Sequence, residues 1–401
     1  MGFNAQKTDF FYFIYITNPR IFPIKTITNI ISNKPISQKM VKKMRYVSGP
    51  IYQGEEFEEG YIGFEDGTIK EMGKGKKSDV IAKGIIVPTF VNAHTHIGDA
   101  VIQDEIKGNI EDIVAPPNGL KHRILKETPS EMIIENMSQV ADNMVHSGIE
   151  YFSDFREGGI EGVRLFKKAL QNSPLRYKIF GRPKEMNYIK DEMEELLKNV
   201  DGIGLSALSD WNDEDIQKIS KHTKIEKKNF ALHASEETRE DIDAILDLKP
   251  DFLIHMTEAT DYDLELCAEN DVPIVVCPRS EVFFGHIPDI PKMLEKGVTL
   301  ALGTDNAMLN SPYSLLREME FAYKISKLKG WVDAKEILRM VLQNPRKVLN
   351  VGDDICLGLG KDANFIVFQL QKKNPAYALV NGASCRDISL ICMNKYIWMS
   401  K

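Results

Sequence analysis

Pro88-Thr89-Phe90-Val91-Asn92-Ala93-His94-Thr95-His96 reads as a short apolar strand ending in two histidines. Side chains two apart on a strand point to the same side, so both imidazoles face one centre. Outward from this stretch, apolar strands alternate with helical segments. The strand candidates are Ile85-Ile86-Val87, Tyr151-Phe152-Ser153, Tyr177-Lys178-Ile179-Phe180, Ile203-Gly204-Leu205, Phe230-Ala231-Leu232, Phe252-Leu253-Ile254, Ile274-Val275-Val276 and Thr299-Leu300-Ala301-Leu302. Between them, Thr128-Pro129-Ser130-Glu131 has the pattern of a capping box, and Ile133, Met137, Val140 and Met144 follow at helical spacing. Thr260-Asp261-Tyr262-Asp263 and Ser311-Pro312 open two further helices. About eight β/α repeats over roughly 260 residues predict an α/β fold, a (β/α)8 TIM-type barrel. A doubly wound open sheet is the competing architecture, but no G-x-G-x-x-G follows the first strand.

The flanks read differently. From Met44 to about Gly84 the chain carries short strands and tight turns, with Tyr61-Ile62-Gly63-Phe64 running into Glu65-Asp66-Gly67 as a hairpin signal. The tail repeats the pattern in Asn364-Phe365-Ile366-Val367-Phe368 and Ser389-Leu390-Ile391-Cys392. We therefore expect a small β-sandwich domain built from residues 44–87 and 349–401, around a barrel spanning 88–348. Residues 1–43 show little periodicity and are expected to lie outside the fold. The apolar run Phe10 to Ile16 is short, precedes Pro19 and lacks a small-residue cleavage site, so it is a weak signal peptide. A true start at Met40 or Met44 would explain the stretch, and mass spectrometry of native protein beginning at Met1 would refute that explanation.

Composition narrows the partners. The 401 residues are 43% hydrophobic and 27% charged with a net charge of −7, which is globular and offers no basic stripe for nucleic acid or an anionic membrane surface. No apolar run approaches the roughly 20 residues that span a bilayer. Cys267, Cys277, Cys356, Cys385 and Cys392 form no C-x-x-C pair, which fits a reduced cytoplasmic setting. The expected partner is a small-molecule substrate. A homo-oligomer is left open, and no heptad or repeat points to a filament.

A barrel carries its chemistry at the C-terminal ends of its strands. His94 and His96 end the first, His233 the fifth, His255 the sixth and Asp305 the eighth. A lone histidine there is more often structural than a ligand. Here four of the eight histidines in the chain end three separate predicted strands. Nitrogen and oxygen donors of this kind suit one divalent transition metal ion, Zn²⁺ first and Fe²⁺ second.

From about Arg45 to the C-terminus the chain resembles the amidohydrolase superfamily, in "VPTFVNAHTH", "ALHASE", "VVCPRS", "LALGTDNAML" and "NPRKVL". The resemblance implies that His94, His96, His233 and Asp305 bind the metal and that His255 orients the attacking water or polarises the bond under attack. It also implies that Asp305 accepts a proton from that water. Two-metal members carry a carboxylated lysine at the end of strand four. Ile203-Gly204-Leu205-Ser206-Ala207-Leu208-Ser209-Asp210 has none, so one metal is expected. His233-Ala234-Ser235-Glu236 is similar to the H-x-x-E of cytosine, guanine, S-adenosylhomocysteine and triazine aminohydrolases, and imidazolonepropionase has a similar segment. In that chemistry a metal lowers the pKa of its water to about 7, and the resulting hydroxide attacks a ring carbon bearing an amine. A carboxylic acid protonates the ring nitrogen and then the leaving amine, and Glu236 is assigned that shuttle. The plainer reading of Glu236 is a solvated residue opening the next helix.

The resemblance therefore implies a hydrolase acting on a non-peptide C–N bond, deaminating a purine, pyrimidine or related heterocycle. The alternative is cyclic amide hydrolysis of the imidazolonepropionase type, and a non-catalytic metal scaffold is a third reading. The absence of P-C-x-x-C argues against the nucleoside-type zinc deaminase fold. Specificity loops depart from the family. Pro117-Asn118-Gly119-Leu120-Lys121-His122-Arg123 lacks the usual tryptophan, and Pro278-Arg279-Ser280-Glu281 has a carboxylate where an amide is common. Arg156, Arg182 and His122 are the substrate-binding candidates. Two guanidiniums in the barrel mouth favour an anionic or carbonyl-rich substrate, unless they pair with Glu157 or Glu281.

Overall fold

The computed structural model describes residues 36–39, 43–310, 313–352, 355–370 and 373–400. Its strands in chain order are β1 (Ile36–Lys39), β2 (Arg45–Tyr52), β3 (Phe57–Glu65), β4 (Thr68–Lys74), β5 (Ala82–Lys83), β6 (Ile85–Pro88) and β7 (Phe90–His96). There follow β8 (Ile149–Arg156), β9 (Arg176–Gly181), β10 (Gly202–Leu205), β11 (Asn229–Ala234), β12 (Phe252–His255) and β13 (Ile274–Val276). The last are β14 (Leu300–Leu302), β15 (Asp305–Asn306), β16 (Phe365–Phe368), β17 (Ile388–Met393) and β18 (Tyr396–Met399). Between β7 and β8 lie α1 (Ile110–Ile113), α2 (Leu120–Glu127) and α3 (Ser130–His146), and α4 (Gly159–Leu170) follows β8. Then come α5 (Lys190–Leu197), α6 (Asp213–Ile225), α7 (Ile242–Asp247), α8 (Asp261–Glu269), α9 (Pro278–Phe283), α10 (Ile290–Glu295) and α11 (Leu315–Ser326).

Strands β7 to β14 pair in parallel in chain order, and β15 pairs with β7. β14 and β15 are two halves of one strand, broken at Gly303-Thr304. Gly303 N donates to Val276 O at 3.0 Å and Thr304 N to His94 O at 3.1 Å, so the break itself bonds to both neighbours and closes the ring. A Cβ on Gly303 would stand 2.7 Å from His94 Cβ, so only glycine lets the backbones approach this closely here. The interior is filled by Val91, Ala93, Phe155, Phe180, Ala231, Phe252, Ile254, Val275, Cys277 and Ala301, one apolar cluster drawn from seven strands and plugged by Val348 and Leu349. This is the barrel that the β/α alternation predicts. The segment Ile85-Ile86-Val87 is not one of its strands, because it pairs with β16 in the other sheet.

That second sheet has the order β1-β18-β17-β16-β6-β2-β3-β4, with β5 beside β2, so strands from both ends of the chain meet in it. β16 and β3 are three strands apart, about 14 Å in a flat sheet. Yet the Phe64 and Phe365 rings lie 5.3 Å apart, which requires the sheet to curl over its own apolar face. Val47, Ile62, Ile86, Val367 and Leu390 fill that fold. Asp66 and Gly67, at φ 48 and 75, form the expected hairpin turn between β3 and β4. Ile36–Lys39 pairs antiparallel with β18, so part of the segment expected outside the fold supplies an edge strand. The remainder of residues 1–35 and 40–42 lies outside the described residues, as does the helix start expected at Ser311-Pro312.

Two helix starts separate pattern from geometry. Thr260 and Asp263 form the reciprocal capping box of α8. Thr128 does not cap α3. Its Oγ1 donates back to Ile124 O at the end of α2, and α3 begins after Pro129 without a side-chain cap. Ile133, Met137, Val140 and Met144 are buried on one face of α3 as expected. Cys267, Cys277 and Cys392 are buried, and Cys356 and Cys385 are exposed. Among the described residues no helix is long and apolar enough to cross a membrane.

Candidate metal centre

On β7, Val91 and Ala93 point into the barrel core. Strict alternation would then send His94 and His96 to the helix side. An irregularity in the β7–β8 pairing prevents this: Asn92 pairs with Phe152 and Thr95 with Asp154, three steps against two. The extra residue is a bulge that turns both histidines inward. His233 needs no such device, since it shares the parity of inward Ala231 on β11. His255 and Asp305 are aimed by left-handed backbone, at φ 74 and 55. Such conformations cost on the order of 1–3 kcal/mol and gather at functional sites.

Four atoms converge as a result. His233 Nε2 lies 3.2 Å from His94 Nε2 and 3.3 Å from His96 Nε2. Asp305 Oδ1 lies 3.3 Å from His94 Nε2 and 3.7 Å from His96 Nε2. Burial, the largest cause, keeps all three imidazoles uncharged: it lowers His94, pushes His96 down to about 3, and lowers His233 well below the usual range. Neutral nitrogen lone pairs at such distances repel unless a proton or cation lies between them. Asp305 Oδ1 is buried with no hydrogen-bond partner, an orphan that a cation would satisfy. Tetrahedral Zn²⁺ with ligands at 2.0–2.1 Å would set their separations at about 3.3–3.4 Å. The donor set fits one such ion, and among the described residues His94, His96 and His233 form the single cluster of this kind.

The outer atoms of His233, His96 and Asp305 are held as well, whereas His94 Nδ1 is buried without a hydrogen-bond partner among the described residues. His233 Nδ1 donates to Leu205 O at 2.7 Å, which leaves Nε2 with its lone pair inward. His96 Nδ1 faces Glu157 Oε1 at 2.8 Å, and Ser280 Oγ donates to Asp305 Oδ2 at 2.5 Å. His94 packs edge-on to Phe155, with ring centroids 4.4 Å apart.

Beside this centre His255 Nε2 stands 3.4 Å from Glu236 Oε2, and His255 Nδ1 stands 3.1 Å from Glu281 Oε1. Burial, reinforced by Asp305 and Glu281, raises Glu236 to about 7 against the opposing pull of His255. Burial works against a charge on His255, yet Glu236 and Glu281 outweigh it and raise the imidazole to about 9. A cation at the four-atom centre would pull both values down. Glu281, which departs from the family pattern, is fully buried and also accepts from Cys277 N at 2.9 Å, so its role is to fix His255.

A cavity of about 330 Å³ opens from the centre, with His96, His233, Glu236, His255 and Asp305 in its wall. Arg182 lines it too, because it shares the inward parity of Phe180 on β9. Arg156 and His122 are not among its lining residues. Arg156 has the parity of Phe152, on the helix side, where it meets Met137 on α3 and pairs with Asp154 and Glu157. His122 turns its Nε2 to Val114 O at 3.0 Å. Sequence reasoning missed Lys121, Glu157 and Asn306, all lining the same cavity. Glu157 stood beside Arg156 as its pairing partner, and nothing in the sequence tied it to His96.

A family-level profile described as the amidohydrolase family matches residues 85–388. An uncharacterised protein of Methanocaldococcus jannaschii is 39% identical over 329 residues, covering 75% of this chain and 84% of that one. A 5-methylthioadenosine/S-adenosylhomocysteine deaminase of Syntrophomonas wolfei is 24% identical over 391 residues, 85% of this chain and 89% of the relative. The crystal structure of guanine deaminase from C. acetobutylicum with bound guanine has the same fold, with a TM-score of 0.72 at 14% identity over 89% of this chain and 100% of that one.

Proposed function

The chain belongs to the amidohydrolase family, and from that premise we propose that it hydrolyses a non-peptide C–N bond, removing an amine from a small nitrogen heterocycle. The observation that carries this reading is Glu236. It lines the cavity beside the four converging donor atoms, 3.4 Å from His255, with burial raising its carboxyl above the usual carboxylate range. Deamination needs a group that takes a proton in one step and gives it back in the next, and such a carboxyl performs both. The deaminase name of the Syntrophomonas wolfei relative supports the same chemistry.

His94, His96, His233 and Asp305 would hold one divalent ion, with zinc as the first choice. When bound, such an ion lowers the pKa of water to about 7 and supplies a nucleophile at neutral pH. Glu236 Oε2 gives one proton to the ring nitrogen, and the carboxylate so formed takes a second from the hydroxyl of the tetrahedral carbon and passes it to the departing amine. Fixed by Glu281, the imidazole of His255 turns Nε2 toward Glu236 and orients its carboxyl. Arg182, whose guanidinium comes no closer than 4.0 Å to Glu157 in its single ion-pair contact among the described residues, is left to bind an anionic or carbonyl group of the substrate. We also read the curled sheet as a small domain flanking the barrel.

The test is ammonia release from a panel of amino-substituted purines, pyrimidines and triazines, with protein loaded separately with Zn²⁺, Fe²⁺ and Mn²⁺. Metal-dependent release from any member supports the reading. Silence across the panel with metal bound overturns deamination and directs the search to ring opening of cyclic amides.

A further inference from the structure

Lys121 lies on α2, away from the barrel strands, and only 2% of its surface is exposed. Lysine is rarely buried so fully without anionic partners. Its Nζ reaches Glu157 Oε1 at 2.5 Å and Asn306 Oδ1 at 3.1 Å, and stands 3.6 Å from Asp99 Oδ2. These three residues follow different strands: Asp99 comes just after β7, Glu157 just after β8, and Asn306 ends β15. Two of them continue to the metal centre. Glu157 Oε1 faces His96 Nδ1 at 2.8 Å, and Asn306 Nδ2 donates to Asp305 Oδ2 at 2.9 Å. One ammonium therefore sits at the head of two chains that end on the outer atoms of His96 and Asp305. The inner atoms of those same residues, Nε2 and Oδ1, stand 3.7 Å apart at the centre.

The chemistry of each chain is definite. A carboxylate at Nδ1 holds the proton there and leaves the Nε2 lone pair for a metal. An amide N–H on Oδ2 occupies one carboxylate oxygen and leaves Oδ1 free. Glu157 is buried, which by itself would favour its neutral form. Lys121 and Arg156 offset that cost by pairing with its two oxygens. Arg156 binds the other oxygen of Glu157, so the carboxylate cannot rotate away from His96.

We propose that Lys121 is a positioning residue of the metal centre, orienting His96 through Glu157 and Asp305 through Asn306, so that the seating of helix α2 and the affinity for metal are coupled. This rests on the reading of His94, His96, His233 and Asp305 as ligands. A purely structural lysine, present to neutralise Asp99 and Glu157, would affect stability and leave metal affinity unchanged.

Zinc affinity, measured by competition with a chromophoric chelator on wild type, Lys121→Met, Asn306→Ala and the double variant, separates these readings without any activity assay. Wild type should bind one equivalent of Zn²⁺. Each single variant should bind it at least tenfold more weakly, within the 10- to 100-fold range usual for partners of metal ligands. The double variant should match Lys121→Met, because Asn306 acts through a chain that Lys121 heads. A folded single variant that holds zinc within twofold of wild type overturns the proposal, and so does a double variant whose loss is the product of the two single losses. Should Lys121→Met fail to fold, Asn306→Ala decides alone by the same twofold criterion. Wild type that binds no zinc overturns the four-ligand reading and the proposal with it, an outcome distinct from intact binding in the variants.

Discussion

Glu236 and His233 are three residues apart and carry different duties, and substitution should separate them. Glu236→Gln removes the transferable proton and keeps the shape. We expect it to bind one zinc with wild-type affinity and to lose turnover by about 10²- to 10⁴-fold. His233→Ala removes an inner donor, and the purified protein should carry no zinc. Metal analysis alongside steady-state rates checks both, and near wild-type turnover in Glu236→Gln would end the shuttle assignment. The residues that the sequence disclosed are those whose position carries the message. His94, His96, His233, His255 and Asp305 all stand at strand ends, where a barrel gathers its site residues. Lys121 was invisible because its meaning lies in where α2 packs, a tertiary fact with no local signature. Arg156 follows inward Phe155 by one residue, and strand parity turns it to the helix side against Met137.

At the scale of elements, α11 meets α9 through a buried carboxyl. Glu318 is fully buried, accepts from Arg279 N at 2.8 Å, and lies 3.7 Å from the Arg279 guanidinium. Burial raises its pKa from 4.5 to about 8, with Arg279 opposing. The folded state thus holds a proton that the unfolded chain releases above about pH 4.5. This contribution is complete below that pH and is lost as pH rises through about 8. Thermal melts of wild type should fall between pH 6 and pH 9, and Glu318→Gln, which keeps an acceptor and cannot ionise, should flatten that fall. Equal slopes in the two proteins would refute the assignment. Other element-scale features show the limit of pattern reading. Capping at Thr260 was legible because both partners lie within four residues. The bulge in β7 was not, since it is defined by pairing with β8, and without it His94 and His96 would face the helices.

Across the whole molecule, metal should act as a stabilising ligand, because its donors come from β7, β11 and β15 and exist as a set only in the folded barrel. Zinc at a hundred times its Kd adds about 2.7 kcal/mol, which for a chain of this length raises Tm by roughly 3–4 °C. Excess chelator should reverse the shift, and a Tm indifferent to zinc would contradict the four-donor centre. The barrel was legible at this scale because strand and helix periods alternate along the chain. The recruitment of Ile36–Lys39 by pairing with β18 was not, because that segment carries little periodicity of its own; the second sheet thus joins segments from opposite ends of the chain. That joining has a consequence for how the protein is made. β6 leaves the ribosome roughly 280 residues before its neighbour β16, and at 5–20 residues per second the wait is on the order of tens of seconds. Through that interval Val47, Ile62 and Ile86 lack the strands that will cover them, so the nascent chain is most vulnerable to wrong partners while its barrel is being synthesised.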